Sequence, residues 1–181
     1  MDDFELLQQL FGDKLIQAEE GGYGRPQLIL QEEDCYSICI RNVPENVVAI
    51  KTDSFPDLRH FFHCSSNVGQ CKRADFVVIS NDKKLIFIEL STTKKQTKEV
   101  EQQLQGAQCV IEYCRSIGEK FYQCDSFLKD YNPYFVSIYN IGVDKKTSTS
   151  ILNEGNNNSP NNFLKINAPN NIQFKQLCHK R

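Results

Sequence analysis

The sequence predicts an α/β protein with a mixed central sheet flanked by helices. Three observations carry that expectation. Phe76, Val77, Val78 and Ile79 form one short apolar run, and Leu85, Ile86, Phe87 and Ile88 form a second, with the polar stretch 80–84 between them. Runs of β-branched and aromatic residues around an Asn-Asp turn read as a β-hairpin. The period then changes: Val100, Leu104, Ala107, Ile111 and Cys114 recur at helical spacing and align as one apolar stripe. A third apolar run at 133–139 follows, and a right-handed crossover would lay it parallel to the second hairpin strand.

Taken in order, residues 1–34 read as an acidic, helical N-terminal segment. Phe4, Leu7, Leu10, Phe11, Leu15 and Ile16 suit helical turns, with a break near Gly12 and a loop from Gly21 to Pro26. Residues 36–41 and 47–51 read as strands joined by 42–46. The stretch 53–69, with Pro56 and an aromatic turn at Phe61 and Phe62, is irregular. The hairpin follows, then a helix from 92 to 118, capped by Thr92 or Thr93 and ended by Gly118. A short helix is expected within 121–131. Six asparagines within 153–162 mark a flexible loop, because such polarity cannot offset the entropy of ordering. Residues 163–166 and 172–177 suit a terminal hairpin or strand pair. The core order is strand, strand, strand, helix, strand.

A chain of 181 residues is most simply one domain, 1–181. No apolar run approaches the length of a membrane span, and the acidic, amphipathic start does not fit a secretory signal. The expected setting is cytoplasmic, with no membrane partner. The eight cysteines, Cys35, Cys39, Cys64, Cys71, Cys109, Cys114, Cys124 and Cys178, are therefore expected as reduced thiols. His60, His63, Cys64 and Cys71 have no closed zinc-site spacing. No glycine-rich phosphate loop and no nucleophile elbow is present. The net charge of −2 is unevenly spread: residues 1–34 hold nine acids against Lys14 and Arg25, and the remainder holds 19 bases against 14 acids. Lys72, Arg73, Lys83, Lys84, Lys94, Lys95 and Lys98 surround the hairpin. Short lysine runs are ordinarily solvated surface, but a basic face beside an acidic centre is also what contact with a phosphate backbone requires.

Each hairpin strand carries one carboxylate, Asp75 before the first and Glu89 at the end of the second. Antiparallel pairing brings these two ends together. Two carboxylates there repel unless a proton or cation lies between them, and clustered oxygen ligands suit Mg²⁺.

This arrangement resembles the PD-(D/E)xK nuclease superfamily, the restriction-endonuclease-like fold. Ala74-Asp75 stands for the first half of its motif and Glu89-Leu90-Ser91 for the second, with Ser91 at the lysine position. The resemblance covers about residues 36–140. It implies a metal-dependent nuclease acting on DNA, as a homodimer or within a larger defence or repair complex. Asp75, Glu89 and the main-chain carbonyl of Leu90 would be the ligands of Mg²⁺ (or Mn²⁺). Lys94, the first lysine after Glu89, would replace the missing catalytic lysine, with Lys95, Lys51 and Lys72 as alternatives. Glu19 or Glu5 would add a further acid, and Gln102, Gln103 and Gln105 would face phosphate or water. The alternative is a catalytically inactive module of the same fold that binds nucleic acid or a protein partner.

Overall fold

The computed structural model describes residues 1–32, 36–64, 67–139, 150–151, 155–167 and 171–178. Helix α1 (Asp3–Phe11) starts at Asp2, whose side chain accepts from the Glu5 N–H while the Glu5 carboxylate accepts from the Asp2 N–H. This reciprocal cap satisfies two otherwise orphaned donors. The helix stops at Gly12, whose φ of +56° is readily adopted only by glycine.

The helical reading of the N-terminal segment ends there. The chain continues through β1 (Ile16–Gln17), β2 (Glu19–Glu20) and β3 (Pro26–Gln31). In β3, Leu28 and Leu30 are fully buried while Ile29 between them is partly exposed. That period of two is the signature of a strand with one covered face. The next strands are β4 (Ser37–Arg41) and β5 (Val47–Lys51), then the hairpin β6 (Phe76–Ser80) and β7 (Lys84–Ser91). Helix α2 (Thr97–Tyr122), β8 (Asn132–Tyr139), β9 (Ser150–Ile151), β10 (Leu164–Asn167) and β11 (Asn171–Gln173) complete the order.

Two mixed sheets result. The larger has the order β1-β5-β6-β7-β8-β10-β9, with β8 parallel to both β7 and β10. The smaller runs β11-β4-β3-β2, with β11 parallel to β4. The α/β class and the mixed central sheet agree with expectation. Helices do not flank both faces, however. One face of the large sheet, through Val77, Ile79, Leu85 and Phe87, packs on Leu6 and Leu7 of α1 and on Val100, Leu104 and Ile111 of α2. The other face, through Phe76, Val78, Ile86 and Ile88, packs on Leu28, Leu30, Ile38 and Ile40 of the second sheet.

Three further expectations are corrected. Residues 163–177 do not form a hairpin, since β10 joins the large sheet and β11 the small one. Helix α2 is not ended by Gly118 but runs on to Tyr122, and the remainder of the region expected to hold a separate short helix, 123–131, forms turns. A side chain at Gly118 would meet Phe127 at 2.7 Å, so glycine serves close packing there. Within the asparagine-rich segment, residues 153 and 154 lie outside the described residues. The rest is anchored: Asn157 is 1% exposed, and its amide donates to the carbonyls of Phe135 (3.2 Å) and Leu177 (2.8 Å). One satisfied buried side chain thus orders a stretch whose composition suggests none.

Helix α2 also meets the loop before β6 at very short range. A Cβ on Gly106 would lie 1.7 Å from the Lys72 carbonyl oxygen, and the Ala74 N–H donates to the Gln103 carbonyl at 2.7 Å. Gly106→Ala is therefore expected to lower unfolding free energy in urea by about 2–3 kcal/mol, the cost of overpacking. A variant as stable as the parent would show that the close approach is dispensable. Among the described residues, no helix is long and apolar enough to cross a membrane.

Candidate functional site

The site lies where strand ends from both sheets converge. Lys51 closes β5 opposite Phe76, so Thr52 and Asp75 meet one step further on. There the Thr52 N–H donates to the Asp75 carbonyl at 2.8 Å, and the Thr52 hydroxyl donates to the Ala74 carbonyl at 2.5 Å. These bonds set Asp53 beside Asp75. Across the hairpin, Phe76 pairs with Ile88, which places Asp75 at the level of Glu89. The Leu90 N–H donates to Asp75 Oδ2 at 2.6 Å. An extended residue directs its N–H and C=O to the same side, so the Leu90 carbonyl faces the Asp75 edge as well.

From the second sheet comes Glu32, just beyond β3, its N–H held by the Tyr36 carbonyl at 3.1 Å. Carboxylate oxygens of Glu32, Asp53 and Asp75 lie within 4.8 Å of one another. This trio is the only such group of His, Cys, Asp or Glu side chains among the described residues. Asp75, one expected ligand, thus stands with two acids not expected from the sequence, whereas Glu89, the other expected ligand, lies outside this trio and is linked to Asp75 through its charge. The signal for both was available: Glu32 and Asp53 each follow an apolar strand, as Glu89 does.

Two lysines enter this acidic group. Lys51 Nζ lies 3.8 Å from Glu32 and 3.7 Å from Asp53. Lys95 Nζ lies 2.5 Å from Glu89 Oε1. Lys94, the expected replacement for the motif lysine, is exposed and makes no ion pair among the described residues. The expectation placed both lysines on the helix, but α2 begins only at Thr97, after Gln96 as its N-cap. The connection between β7 and α2 is shaped by Ser91, whose buried hydroxyl donates to the Thr93 carbonyl at 2.6 Å. Ser91 thus helps shape the turn that carries Lys95 back to the strand end.

The remaining sequence candidates are dispersed. Glu5 is occupied in the α1 cap, and Glu19 accepts from Gln27 at 2.9 Å. Lys72 donates to Gln102 at 3.0 Å, and Gln102 donates to the Asn67 and Val68 carbonyls. Gln105 is exposed, whereas Gln103 stands beside Glu89. Cys64 and Cys71, expected as thiols, are joined in a disulfide with a Cα–Cα distance of 5.9 Å. The turns of the 58–72 segment bring the two close, which a spacing of seven did not disclose.

Electrostatically the site is strained toward neutrality. Burial, reinforced by the charge of Glu89, pushes the Asp75 carboxyl up to about 9. Burial also raises Glu89, which is 0% exposed, while Lys95 and Gln103 draw it back down. Glu89 Oε2 makes no hydrogen bond among the described residues. Burial alone would lower Lys95, but Glu89 and Asp75 together hold its ammonium above the usual value. Tyr36 is raised by burial and by the charges of Asp75 and Glu32. Glu32, Asp53 and Asp75 bring three carboxylates together beside the Lys51 ammonium. An all-oxygen donor set of this kind suits a hard ion such as Mg²⁺ or Mn²⁺. No family model, curated protein or solved structure matches this chain.

Proposed function

We propose that the protein is a metal-dependent nuclease that cleaves DNA phosphodiester bonds, of the kind used in defence or repair. The observation that carries this reading is the convergence of Asp75 and Glu89 on one strand-end site, with Lys95 bonded to Glu89. This arrangement resembles the plan of the PD-(D/E)xK superfamily, with the lysine displaced four positions along the chain, from 91 to 95.

Asp75, Glu89 and the Leu90 carbonyl would hold Mg²⁺ or Mn²⁺, with Glu32 and Asp53 completing the acidic wall. Such an ion supplies Lewis-acid polarisation of a phosphoryl oxygen and lowers the pKa of bound water. Lys95 is the cation at the open end of the site. On substrate entry it exchanges part of its bond with Glu89 for a non-bridging phosphate oxygen and offsets charge developing there. Lys51, between Glu32 and Asp53, keeps those two acids from repelling each other apart. The rival reading is an inactive module of the same plan that binds nucleic acid or a protein; it rests on Ser91 at the motif lysine position.

Cleavage of supercoiled plasmid and of circular single-stranded DNA decides between them. The wild type is expected to nick or linearise DNA with Mg²⁺ or Mn²⁺, to be silent in EDTA, and to lose activity as Glu89→Ala. No cleavage by the wild type with any divalent metal would favour the inactive module.

A further inference from the structure

Among its described residues, the stretch between Asp53 and Asp75 holds no strand and no helix beyond single turns, and connections of that length are usually functional. Both of its ends are rooted in the acidic site. Arg73 ties its base together, donating to the carbonyls of Phe55 (3.0 Å) and Pro56 (3.1 Å). The Cys64–Cys71 disulfide and a 2.6 Å bond from the Gln70 amide to the His63 carbonyl close its middle. At its outer turn Phe61 is 83% exposed and Phe62 48%, with the rings edge-to-face at 4.9 Å. Neither ring belongs to a core cluster.

Resting on the nuclease reading, we infer that Phe61 and Phe62 form a stacking platform for unpaired bases, so that the substrate is a single-stranded nucleic acid or a single-stranded end. Three features argue for this occupant. From Leu58 to Arg73 the chain carries Arg59, Lys72 and Arg73 and no acid, and the nearest preceding acid, Asp57, is paired with Arg59 at 2.8 Å. Such a surface complements a polyanion rather than an apolar partner. A cleft of about 620 Å³ beside this loop is lined by Lys72, Arg73 and the Arg59–Asp57 pair and reaches Asp53, so a backbone following the cations arrives at the acidic site. Exposed aromatic faces beside a cationic groove bind single strands by stacking, whereas paired bases keep their faces inside the duplex.

The test is fluorescence anisotropy of a labelled oligothymidine and of a matched duplex, in EDTA so that binding is read without cleavage. Phe61→Ala and Phe62→Ala are each expected to weaken single-strand binding about ten-fold, the scale of one stacked base, with duplex binding little changed. Phe61→Trp should retain affinity and Phe61→Leu should not, because leucine keeps the apolar surface but loses the π face. These positions are exposed, so circular dichroism should show unchanged folds. Equal affinity of Phe61→Ala, Phe61→Leu and wild type would overturn the platform while leaving the nuclease reading intact if plasmid is still cleaved. Loss of self-association in Phe61→Ala without loss of DNA affinity would likewise overturn it, in favour of an interface between copies. A wild type that neither binds nor cleaves nucleic acid would remove both.

Discussion

Lys95→Ala is expected to lower the single-turnover cleavage rate by about 10²-fold or more, the effect of removing one transition-state donor, while Lys94→Ala stays close to wild type. The difference follows from position alone. Lys95 Nζ is 2.5 Å from Glu89 and its side chain is 29% exposed, so its charge acts in a partly desolvated site. Lys94 is on the solvent side of the same connection. Lys95→Ala has a second consequence, because it leaves Glu89 fully buried beside Asp75 without its cation. Breaking such a pair is costly while the carboxylate is charged. The variant should therefore be less stable at about pH 8 than at about pH 5, where Glu89 can take up a proton. Full activity in Lys95→Ala would pass the role to Lys51, the other lysine among these acids.

Metal-free protein should lose thermal stability as the pH rises. Unfolded carboxylates titrate near 4, whereas Asp75 and Glu89 are both raised in the folded state, first by burial and then by neighbouring acids. Between about pH 4 and those raised values the folded chain keeps protons that the unfolded chain has released. The stabilisation is complete at low pH and is lost as pH rises through the folded-state values. Each group contributes at most about 1.4 kcal/mol per pH unit, and for a chain of this length each kcal/mol moves the midpoint by about 2–4 °C. Scanning calorimetry in EDTA should show a falling midpoint from about pH 5 to about pH 9. Mg²⁺ or Mn²⁺ should restore it most at the alkaline end, where the acids are most crowded with charge. Asp75→Asn should flatten the profile, because the amide oxygen still accepts the Leu90 N–H without adding charge. A flat profile for the wild type, or one indifferent to metal, would show that these carboxylates are not electrostatically coupled.

The parts legible in the sequence were those encoded locally. The hairpin follows from two apolar runs around Ser80-Asn81-Asp82-Lys83-Lys84, and the α2 stripe from Val100 to Cys114 is buried as its period requires. The strand at 132–139 is parallel to β7, as a strand reached through a crossover helix should be. The parts not legible depend on distant partners. Leu28 and Leu30 alternate as a strand should, but only the opposing face of the large sheet makes them core, whereas the helical expectation for residues 1–34 rested on the spacing from Phe4 to Ile16. Asn157 is ordered by the Phe135 and Leu177 carbonyls, which composition cannot anticipate. Within the site, Asp75 and Glu89 were readable because each adjoins an apolar run. Glu32 and Asp53 carry the same mark, but their convergence needs the second sheet to dock. The choice between Lys94 and Lys95 turned on one hydrogen bond, from Ser91 to Thr93, that sets the path of the connection.

The most direct measurement is the anomalous difference map of crystals soaked in Mn²⁺. The account predicts one strong peak at ligand distance from the Asp75 carboxylate, shared with Glu89 or with Glu32 and Asp53, and absent from crystals of Asp75→Asn. A peak found only elsewhere, such as at His60 or His63, or no peak at all in crystals that tolerate the soak, would contradict the metal site on which the nuclease reading stands.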